Sequence, residues 1–327
     1  MRNLRTSLLL AAAALLPGAA GAFFGQDYAG TATAQFLKLG ADPRGAAMGE
    51  AMGAAADDAA ALYWNPAGLA ALEEREVEFH HAFLYQSVFC DYIAYAHPIQ
   101  PIVPPTRREL KPSGLGTVAL SALYLNAGQI EEVDNTASPT GGAFTPRDVA
   151  LAAGWGSTVF ENVDLGFAVK YIDSRIQNTA RTGAADFGAR FRFLILDVWP
   201  YAIAFSGSNF GGKLRYNLES DPLPATLRVG QTLRPTKHWL LSFDLVDPSD
   251  NKIYPNAGTE FSVPFGEDIT GFLRAGYSGR VSGSDLEGLA SASFGFGLRV
   301  NGLGFDYTWA PYGLLGQANR LGVSYKF

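Results

Sequence analysis

Hydrophobic and polar residues alternate one by one along most of the chain after residue 76. Near the C-terminus Phe294, Phe296, Leu298 and Val300 alternate with small or charged residues, and the segment from Leu303 repeats the pattern. A period of two is typical of β-strands whose two faces meet different environments. It predicts fourteen strands, near 76–85, 91–97, 115–125, 147–157, 163–173, 184–193, 201–208, 225–234, 238–246, 256–264, 270–278, 290–300, 303–309 and 319–327.

The connections between these strands alternate in length from the third strand onward. They are long at 126–146, 174–183, 209–224, 247–255, 279–289 and 310–318, and short at 158–162, 194–200, 235–237, 265–269 and 301–302. Outer-membrane barrels have short periplasmic turns and long extracellular loops. Residues 98–113 break the alternation, so either the first two strands are misplaced or this segment is a periplasmic excursion.

Composition suits a chain of many strands and tight turns, and the lack of a long apolar run leaves either a soluble protein or a β-barrel. The strand count and the loop lengths decide for the barrel. Charged residues make up 17% of the chain, against roughly 25% in average soluble domains. After the N-terminus no segment approaches 18 consecutive apolar residues, and only helices and closed barrels satisfy their backbone polar groups in lipid. We therefore predict an all-β membrane protein, a fourteen-stranded antiparallel outer-membrane β-barrel over residues 76–327. A soluble periplasmic β protein is the alternative.

Residues 1–22 have the three parts of a secretory signal. Arg2 and Arg5 precede an apolar run over residues 8–16, and an A-x-A cleavage site ends at Ala22. We predict cleavage near Ala22 and a location in the outer membrane of a Gram-negative-type envelope. Cleavage leaves 31 acidic residues against 25 − 2 = 23 basic ones, a balance that disfavours nucleic acid as a partner.

Residues 23–75 do not follow the alternation and are crowded with Ala and Gly. Such small residues suit backbone packed tightly inside another structure. The segment is therefore predicted to be an N-terminal hatch or plug of short helices and turns inside the barrel. Its candidate motif, in which the Asn-Pro-Ala-Gly run favours a turn, consists of Asp57, Asp58, Asn65, Pro66, Ala67 and Gly68, and Asn65 is expected to hydrogen-bond the barrel wall.

Four runs in this segment resemble the N-terminal region of the PorV/PorQ family, within the FadL-like superfamily of fourteen-stranded outer-membrane barrels. They are Phe36-Leu37-Lys38-Leu39-Gly40, Arg44-Gly45-Ala46-Ala47-Met48-Gly49, Ala56-Asp57-Asp58 and Tyr63-Trp64-Asn65-Pro66-Ala67-Gly68-Leu69. Asn65-Pro66-Ala67 is similar to the NPA motif of the FadL hatch. FadL-type membership implies passage of hydrophobic molecules across the outer membrane, with lateral release through a gap at a kinked strand. PorV-type membership implies a type IX secretion component that receives exported proteins and hands them to the surface-attachment machinery.

Further candidate residues follow from the strand faces and the family resemblance. Phe36, Leu37 and Leu39 are candidates for contact with a hydrophobic ligand. Val323, Tyr325 and Phe327 resemble the terminal signal by which the barrel-assembly machinery recognises its substrates. Glycines near the third strand, Gly114, Gly116 and Gly128, are one place to look for a kink. The candidate lumen-facing charges are Asp164, Lys170, Arg190, Arg192, Arg228, Asp244, Glu260, Arg274, Arg299, Asp306, Arg320 and Lys326.

No pattern indicates an enzyme, a metal or a cofactor. No Gly-x-Ser-x-Gly elbow is present. His80 and His81 are adjacent, so on a strand they point to opposite faces and cannot share a metal. Cys90 is the single cysteine, which excludes an intramolecular disulfide. The expected partners are outer-membrane lipid, the barrel-assembly machinery, and hydrophobic small molecules or exported proteins.

Overall fold

A computed structural model describes residues 30–99, 115–281, 289–313 and 316–327. Fourteen antiparallel strands close into a barrel, which confirms the fold class predicted from the alternation. The first and last strands pair from Glu76 with Lys326 to Phe83 with Asn319, so the main sheet has no free edge. The barrel strands are β1 Glu76–Phe83, β2 Phe89–Pro98, β3 Thr117–Asn126, β6 Arg147–Phe160, β7 Val163–Arg175, β8 Thr179–Ile195, β9 Trp199–Gly211, β12 Thr226–Thr236, β13 Trp239–Pro248, β14 Tyr254–Pro264, β15 Ile269–Ser278, β16 Ala292–Val300, β17 Leu303–Pro311 and β18 Gln317–Lys326.

Two small hairpins form within connections that the sequence predicted as loops. They are β4 Ile130–Val133 with β5 Pro139–Phe144, and β10 Lys213–Leu214 with β11 Asp221–Pro222. None of the described helices is long and apolar enough to cross a membrane. The predicted signal peptide and most of the predicted periplasmic excursion lie outside the described residues.

The two ends of the barrel differ in the length of their connections. At one end, the short-turn end, strands are joined by 161–162, 196–198, 237–238, 265–268 and 301–302, with 99–116 as the exception. The opposite, long-loop end carries 84–88, 127–146, 176–178, 212–225, 249–253, 279–291 and 312–316.

The long connection predicted at 174–183 is wrong. Strand β7 extends to Arg175 and β8 begins at Thr179, so only residues 176–178 connect them. The alternation persists there, with Ser174 and Ala180 buried on the inside of the barrel. On the outside, Arg181 of β8 donates to Asp173 of β7 at 2.6 Å, and this cross-strand ion pair lies within the extended part of the two strands.

Strand β7 shows how the alternation places residues on the two faces. Leu165, Phe167, Val169 and Tyr171 are exposed on the outside, while Asp164, Gly166, Ala168 and Lys170 are buried inside. An apolar outer face with a polar inner face is the arrangement of a membrane barrel, since the outer face meets lipid. The charged side chains of the strands therefore point toward whatever fills the lumen.

Residues 30–75, here called the hatch segment, run from the long-loop end to the short-turn end. Thr33 N donates to Pro222 O at 3.0 Å, and Arg75 exchanges backbone hydrogen bonds with Phe327. Its elements are short: a 3-10 helix Gln35–Lys38, helix Pro43–Ala47, helix Ala61–Trp64 and a 3-10 helix Pro66–Ala71.

The Asn301-Gly302 turn has both residues at positive φ, 49° and 82°. Such two-residue turns match the twist of the flanking strands and favour Asn-Gly. Gly302→Ala should strain this turn by about 1 kcal/mol and lower the temperature at which the barrel loses its heat-modifiable gel migration. Gly183→Ala is the control, because a Cβ there meets only Lys170 O, at 3.5 Å. Equal temperatures for the two variants would contradict the assignment.

Candidate functional site

Inward-facing side chains of the wall hydrogen-bond the backbone of the hatch segment. Because the sheet is closed, these carbonyls have no free strand edge to pair with, and side chains supply the donors instead. The contacts run along the segment: Arg320 to Leu39 O and Gly40 O (2.6 and 2.8 Å), Ser293 to Ala47 O (3.2 Å), Arg228 to Glu50 O (2.6 Å), Ser242 to Ala51 O (2.6 Å) and Arg190 to Ala56 O (3.2 Å).

Arg44 links the hatch segment to the wall by an ion-pair network. Its Nε and Nη2 donate to the two carboxylate oxygens of Glu260 at 2.9 and 3.1 Å. Its Nη1 donates to Asp57 at 2.5 Å and to Asp58 at 2.8 Å. Glu260 also accepts from Arg274 at 2.7 Å. A two-pronged arginine contact with a carboxylate fixes direction as well as distance, so it defines where the hatch sits against β14.

The two adjacent carboxyls of the hatch have opposite pKa shifts. Burial would raise the pKa of Asp57, but the attraction and hydrogen bond of Arg44 outweigh it and lower that pKa. Burial and the repulsion of Glu78 raise the pKa of Asp58 despite Arg44. One oxygen of Asp58 has no hydrogen-bond partner among the described residues. Asp57 is thus held as a carboxylate, whereas the ionised form of Asp58 is disfavoured.

Asn65 organises the hatch itself rather than binding the wall. Its Nδ2 donates to Gly53 O at 2.6 Å, and its Oδ1 accepts from Ala67 N at 3.1 Å, capping the 3-10 helix that follows. The expected hydrogen bond from Asn65 to the wall is therefore wrong. The turn directs the Asn65 side chain back along the hatch, where the Gly53 carbonyl and the Ala67 amide lie within hydrogen-bond distance.

The part of the barrel wall that contacts Asn65 and Pro66 consists of glycines. A Cβ at Gly188 would lie 1.8 Å from Asn65 Oδ1, and one at Gly166 would lie 2.3 Å from the Pro66 carbonyl carbon. Gly156 is as close to Pro66 O, at 2.3 Å. The inner faces of β6, β7 and β8 thus form a glycine track on which the Asn65-Pro66 turn rests.

A break in strand pairing lies in the wall between β8 and β9. Ala185 pairs with Phe210 and Phe187 with Gly207, so β9 carries one extra residue there, and Asn209 takes a φ of 62°. Asp186 accepts from Asn209 N at 2.8 Å and pairs with Lys170 at 2.6 Å. The bulge is stabilised by a buried charged cluster that faces the lumen.

The candidate ligand-contact residues are packed rather than open. Phe36 and Leu37 are 2% and 4% exposed, and they share an apolar cluster with Leu214 and Leu223 of the 212–225 connection. Leu39 packs against the edge of the same cluster. A neighbouring cavity of about 30 Å³ is lined by Leu37, Tyr63, Trp64, Lys170, Asn209 and Arg228. It has room for about two water molecules.

The remaining predicted residues lie as follows. The predicted lumen-facing charges lie on the inner face, and Arg192 is half-exposed near the short-turn end. His80 points inward to Glu78 and His81 outward to Asp91, as their adjacency predicted. Val323, Tyr325 and Phe327 are exposed on the outer face.

The third strand pairs without interruption with both neighbours, so it has no kink of the kind that its flanking glycines suggested. Gly116 takes a φ of 88° just before β3, and Gly114 lies outside the described residues.

Sequence reasoning missed Glu76, Glu78, Asp186 and Asn209. Glu76 and Glu78 both accept from Ala59 N, at 3.0 and 3.1 Å. Together with His80 they stand two residues apart at the start of the first strand, and that spacing predicts that all three lie on one face of it.

No protein-family model matches the sequence, and the search of curated proteins finds no match. Among solved structures the chain is similar to the Ralstonia pickettii toluene transporter TbuX, with a TM-score of 0.55 and 14% identity over 89% of this chain and 100% of that one. It is also similar to the P. putida toluene transporter TodX, with a TM-score of 0.51 and 11% identity over 88% of this chain and 98% of that one. The fold is that of these transporters. It is the barrel expected from the FadL-like resemblance, whereas the PorV/PorQ family stays a prediction.

Asn65→Ala should loosen the hatch segment without unfolding the barrel. Leaving Gly53 O and Ala67 N unpaired costs about 1–3 kcal/mol per buried group, or roughly 5- to 150-fold in local opening. Trypsin cleavage after Lys38 and Arg44 of the detergent-solubilised barrel should accelerate accordingly. The control is Asn178→Ala, which removes an exposed bond to Asn217 outside the hatch. Unchanged cleavage in Asn65→Ala, or loss of the folded barrel, would refute this role.

Asp57→Asn and Asp58→Asn should change hatch stability in opposite directions at pH 7. The lowered pKa of Asp57 means that its carboxylate stabilises the folded hatch above about pH 4, the ordinary pKa, and that this contribution is lost as the pH falls further. The raised pKa of Asp58 means that its ionisation costs stability increasingly above about pH 4.

Amide hydrogen exchange of residues 36–72 measures both effects. Exchange should be faster than wild type in Asp57→Asn and slower in Asp58→Asn at pH 7. The Asp58→Asn difference should shrink toward pH 4, whereas the Asp57→Asn difference should persist to pH 4 and shrink only below it. The same direction of change in the two variants would contradict the opposed shifts.

Proposed function

We propose that this chain is a non-enzymatic outer-membrane barrel of the FadL type that binds hydrophobic molecules or passes them across the outer membrane. Two of the solved structures that share its fold are described as toluene transporters. Residues 23–75 act in this proposal as the hatch that closes the lumen, with Asp57, Asp58, Asn65, Pro66, Ala67 and Gly68 as its structural centre.

The observation that carries the proposal is how the hatch segment is attached. Between Ala34 and Glu74 no backbone hydrogen bond joins it to a barrel strand among the described residues. Its contacts are side chain to backbone, ion pairs and a glycine track. Such a segment can shift inside the lumen without unpairing any strand of the sheet.

The proposal requires movement, because the cavity that the described residues enclose beside the hatch is small. The cavity of about 30 Å³ beside Leu37 is far below the roughly 300–1,000 Å³ of typical ligand sites. Displacing the 3-10 helix that holds Phe36 and Leu37 would open the apolar cluster beneath residues 212–225. In this proposal Phe36, Leu37 and Leu39 then contact the hydrophobic molecule.

Lateral release is proposed at the β8–β9 bulge rather than at the third strand. Asn209 and Lys170 belong both to the bulge and to the cavity lining. Pairing between β9 and β12 also ends at Ser208 with Thr226, so the wall beside the bulge has fewer ladder bonds. A bulge re-aims side chains and weakens local pairing, which favours an opening there.

A second candidate is a PorV-like type IX secretion component that shuttles exported proteins to the surface-attachment machinery. The small, polar-lined cavity favours it, since a barrel that acts through its outer loops has no need of a wide lumen. The motif resemblance over residues 36–69 favours it as well.

Deleting Asn209 tests the conduit. The deletion restores regular β8–β9 pairing and should reduce uptake of toluene or a fluorescent fatty acid into proteoliposomes at least tenfold, with heat-modifiable migration kept. Deleting Leu218 is the matched control, because this residue is 87% exposed in the turn between β10 and β11.

Uptake by the wild-type barrel that equals empty liposomes would overturn the conduit. Exported or secretion proteins that co-purify from the native envelope, with no hydrophobic compound in the lipid extract, would then support the second candidate.

A further inference from the structure

Two arginines stand directly opposite each other on the outer face of the barrel at the long-loop end. Arg147 begins β6 and pairs with Arg175, the last residue of β7. Both side chains are exposed and point outward, because their neighbours Asp148 and Ser174 bond each other on the inner face. Like charges directly opposite on a sheet destabilise it.

Neither arginine is neutralised by the protein. Among the described residues no carboxylate lies within 4 Å of Arg147 or Arg175. The carboxylate at the next outward position of β7, Asp173, is taken by Arg181 at 2.6 Å. The facing pair therefore keeps two positive charges that no described carboxylate of the chain compensates.

The pair lines a groove of about 490 Å³. One side is the end of hairpin β4–β5 at Phe144, and the other is the β7–β8 connection at Ile176 and Gln177. Moving from the arginines toward the middle of the barrel, the next residue pairs on the outer face are Val149 with Asp173, and then Leu151 with Tyr171. Leu151 and Tyr171 are both 48% exposed and stand four residues, or about 13 Å, below the arginines.

We propose that this groove binds the phosphate of an anionic membrane-lipid headgroup, whose acyl chains lie along Leu151, Tyr171 and Val169. The guanidinium group offers several N–H donors in a planar array that fits phosphate oxygens, and one phosphate between two arginines removes their repulsion. Basic pockets at the rim of the apolar surface recognise lipid headgroups for this reason. The proposal depends on the barrel lying in a membrane and not on what passes through it.

The test compares the wild type with Arg147→Gln/Arg175→Gln and with a charge-matched control, Lys213→Gln/Arg215→Gln. The control removes two exposed positive charges from the β10–β11 hairpin at the same end of the barrel. Each detergent-purified barrel is titrated with lipid A, with phosphatidylcholine and with inorganic phosphate. The readouts are native mass spectrometry and the temperature at which heat-modifiable migration is lost.

Lipid A should remain bound to the wild type and the control, and at least tenfold more weakly to the double arginine variant. It should raise the unfolding temperature of the first two barrels, since a ligand of the native state stabilises it, and leave that of the variant unchanged. In lipid-free detergent the variant should unfold at the same temperature as the wild type or higher, because the repulsion is gone.

Three results would each overturn the proposal. Lipid A could bind the double arginine variant as tightly as the wild type. Phosphatidylcholine could be retained as well as lipid A, which would show that the surface is unselective. Inorganic phosphate could stabilise the wild type as much as lipid A does at equal concentration, which would assign the groove to free phosphate.

Discussion

The ion pair between Arg44 and Glu260 fixes the hatch within the barrel. Both groups are largely removed from water, and Glu260 is shared with Arg274 of the adjacent strand. Removing one partner of a buried pair typically costs 3–5 kcal/mol, because the other charge is left uncompensated. Burial of an alanine methyl stabilises by only about 0.8 kcal/mol. In a segment whose fully buried residues are largely alanines, such charged contacts therefore determine position more than apolar packing does.

The glycine track and the polar lumen are two consequences of the same constraint. A closed sheet offers the hatch no strand edge, so the hatch backbone must come close enough for wall side chains to reach its carbonyls. Glycines at 156, 166 and 188 permit that approach near the Asn65 turn. Arginines at 190, 228 and 320 supply the donors elsewhere. A bulky apolar lumen would satisfy neither requirement.

Much of this architecture follows from local pattern. The alternation from residue 76 predicted all fourteen strands, because the side-chain period of a strand is a property of the backbone. The small residues of the 23–75 segment indicated close packing before any contact was known. The β7–β8 connection was mispredicted because polar residues at 174–183 were taken as a loop, although on a barrel rim polar residues also occupy strands.

Other features depend on contacts that no local pattern contains. Asn209 looks like an ordinary loop asparagine, and its role in the bulge requires Asp186 and Lys170, which come from two other strands. Asn65 was expected to bind the wall, yet whether an amide bonds the wall or its own segment depends on how far Gly53 lies from it. The facing arginines were equally hidden, since the register between β6 and β7 decides that Arg147 meets Arg175.

The bulge and the hatch are coupled through Lys170. This residue pairs with Asp186 and Asn209 in the wall, and its ammonium lies 6.0 Å from the centre of the Tyr63 ring in the hatch. Tyr63 donates in turn to Leu37 O at 2.8 Å and accepts from Gly40 N at 3.0 Å. In the proposed conduit, displacing the 3-10 helix Gln35–Lys38 would therefore disturb Tyr63 first and the bulge cluster next. Opening at the long-loop end and weakening of the β8–β9 wall would then be linked, because Lys170 pairs with the bulge and also lies over the Tyr63 ring.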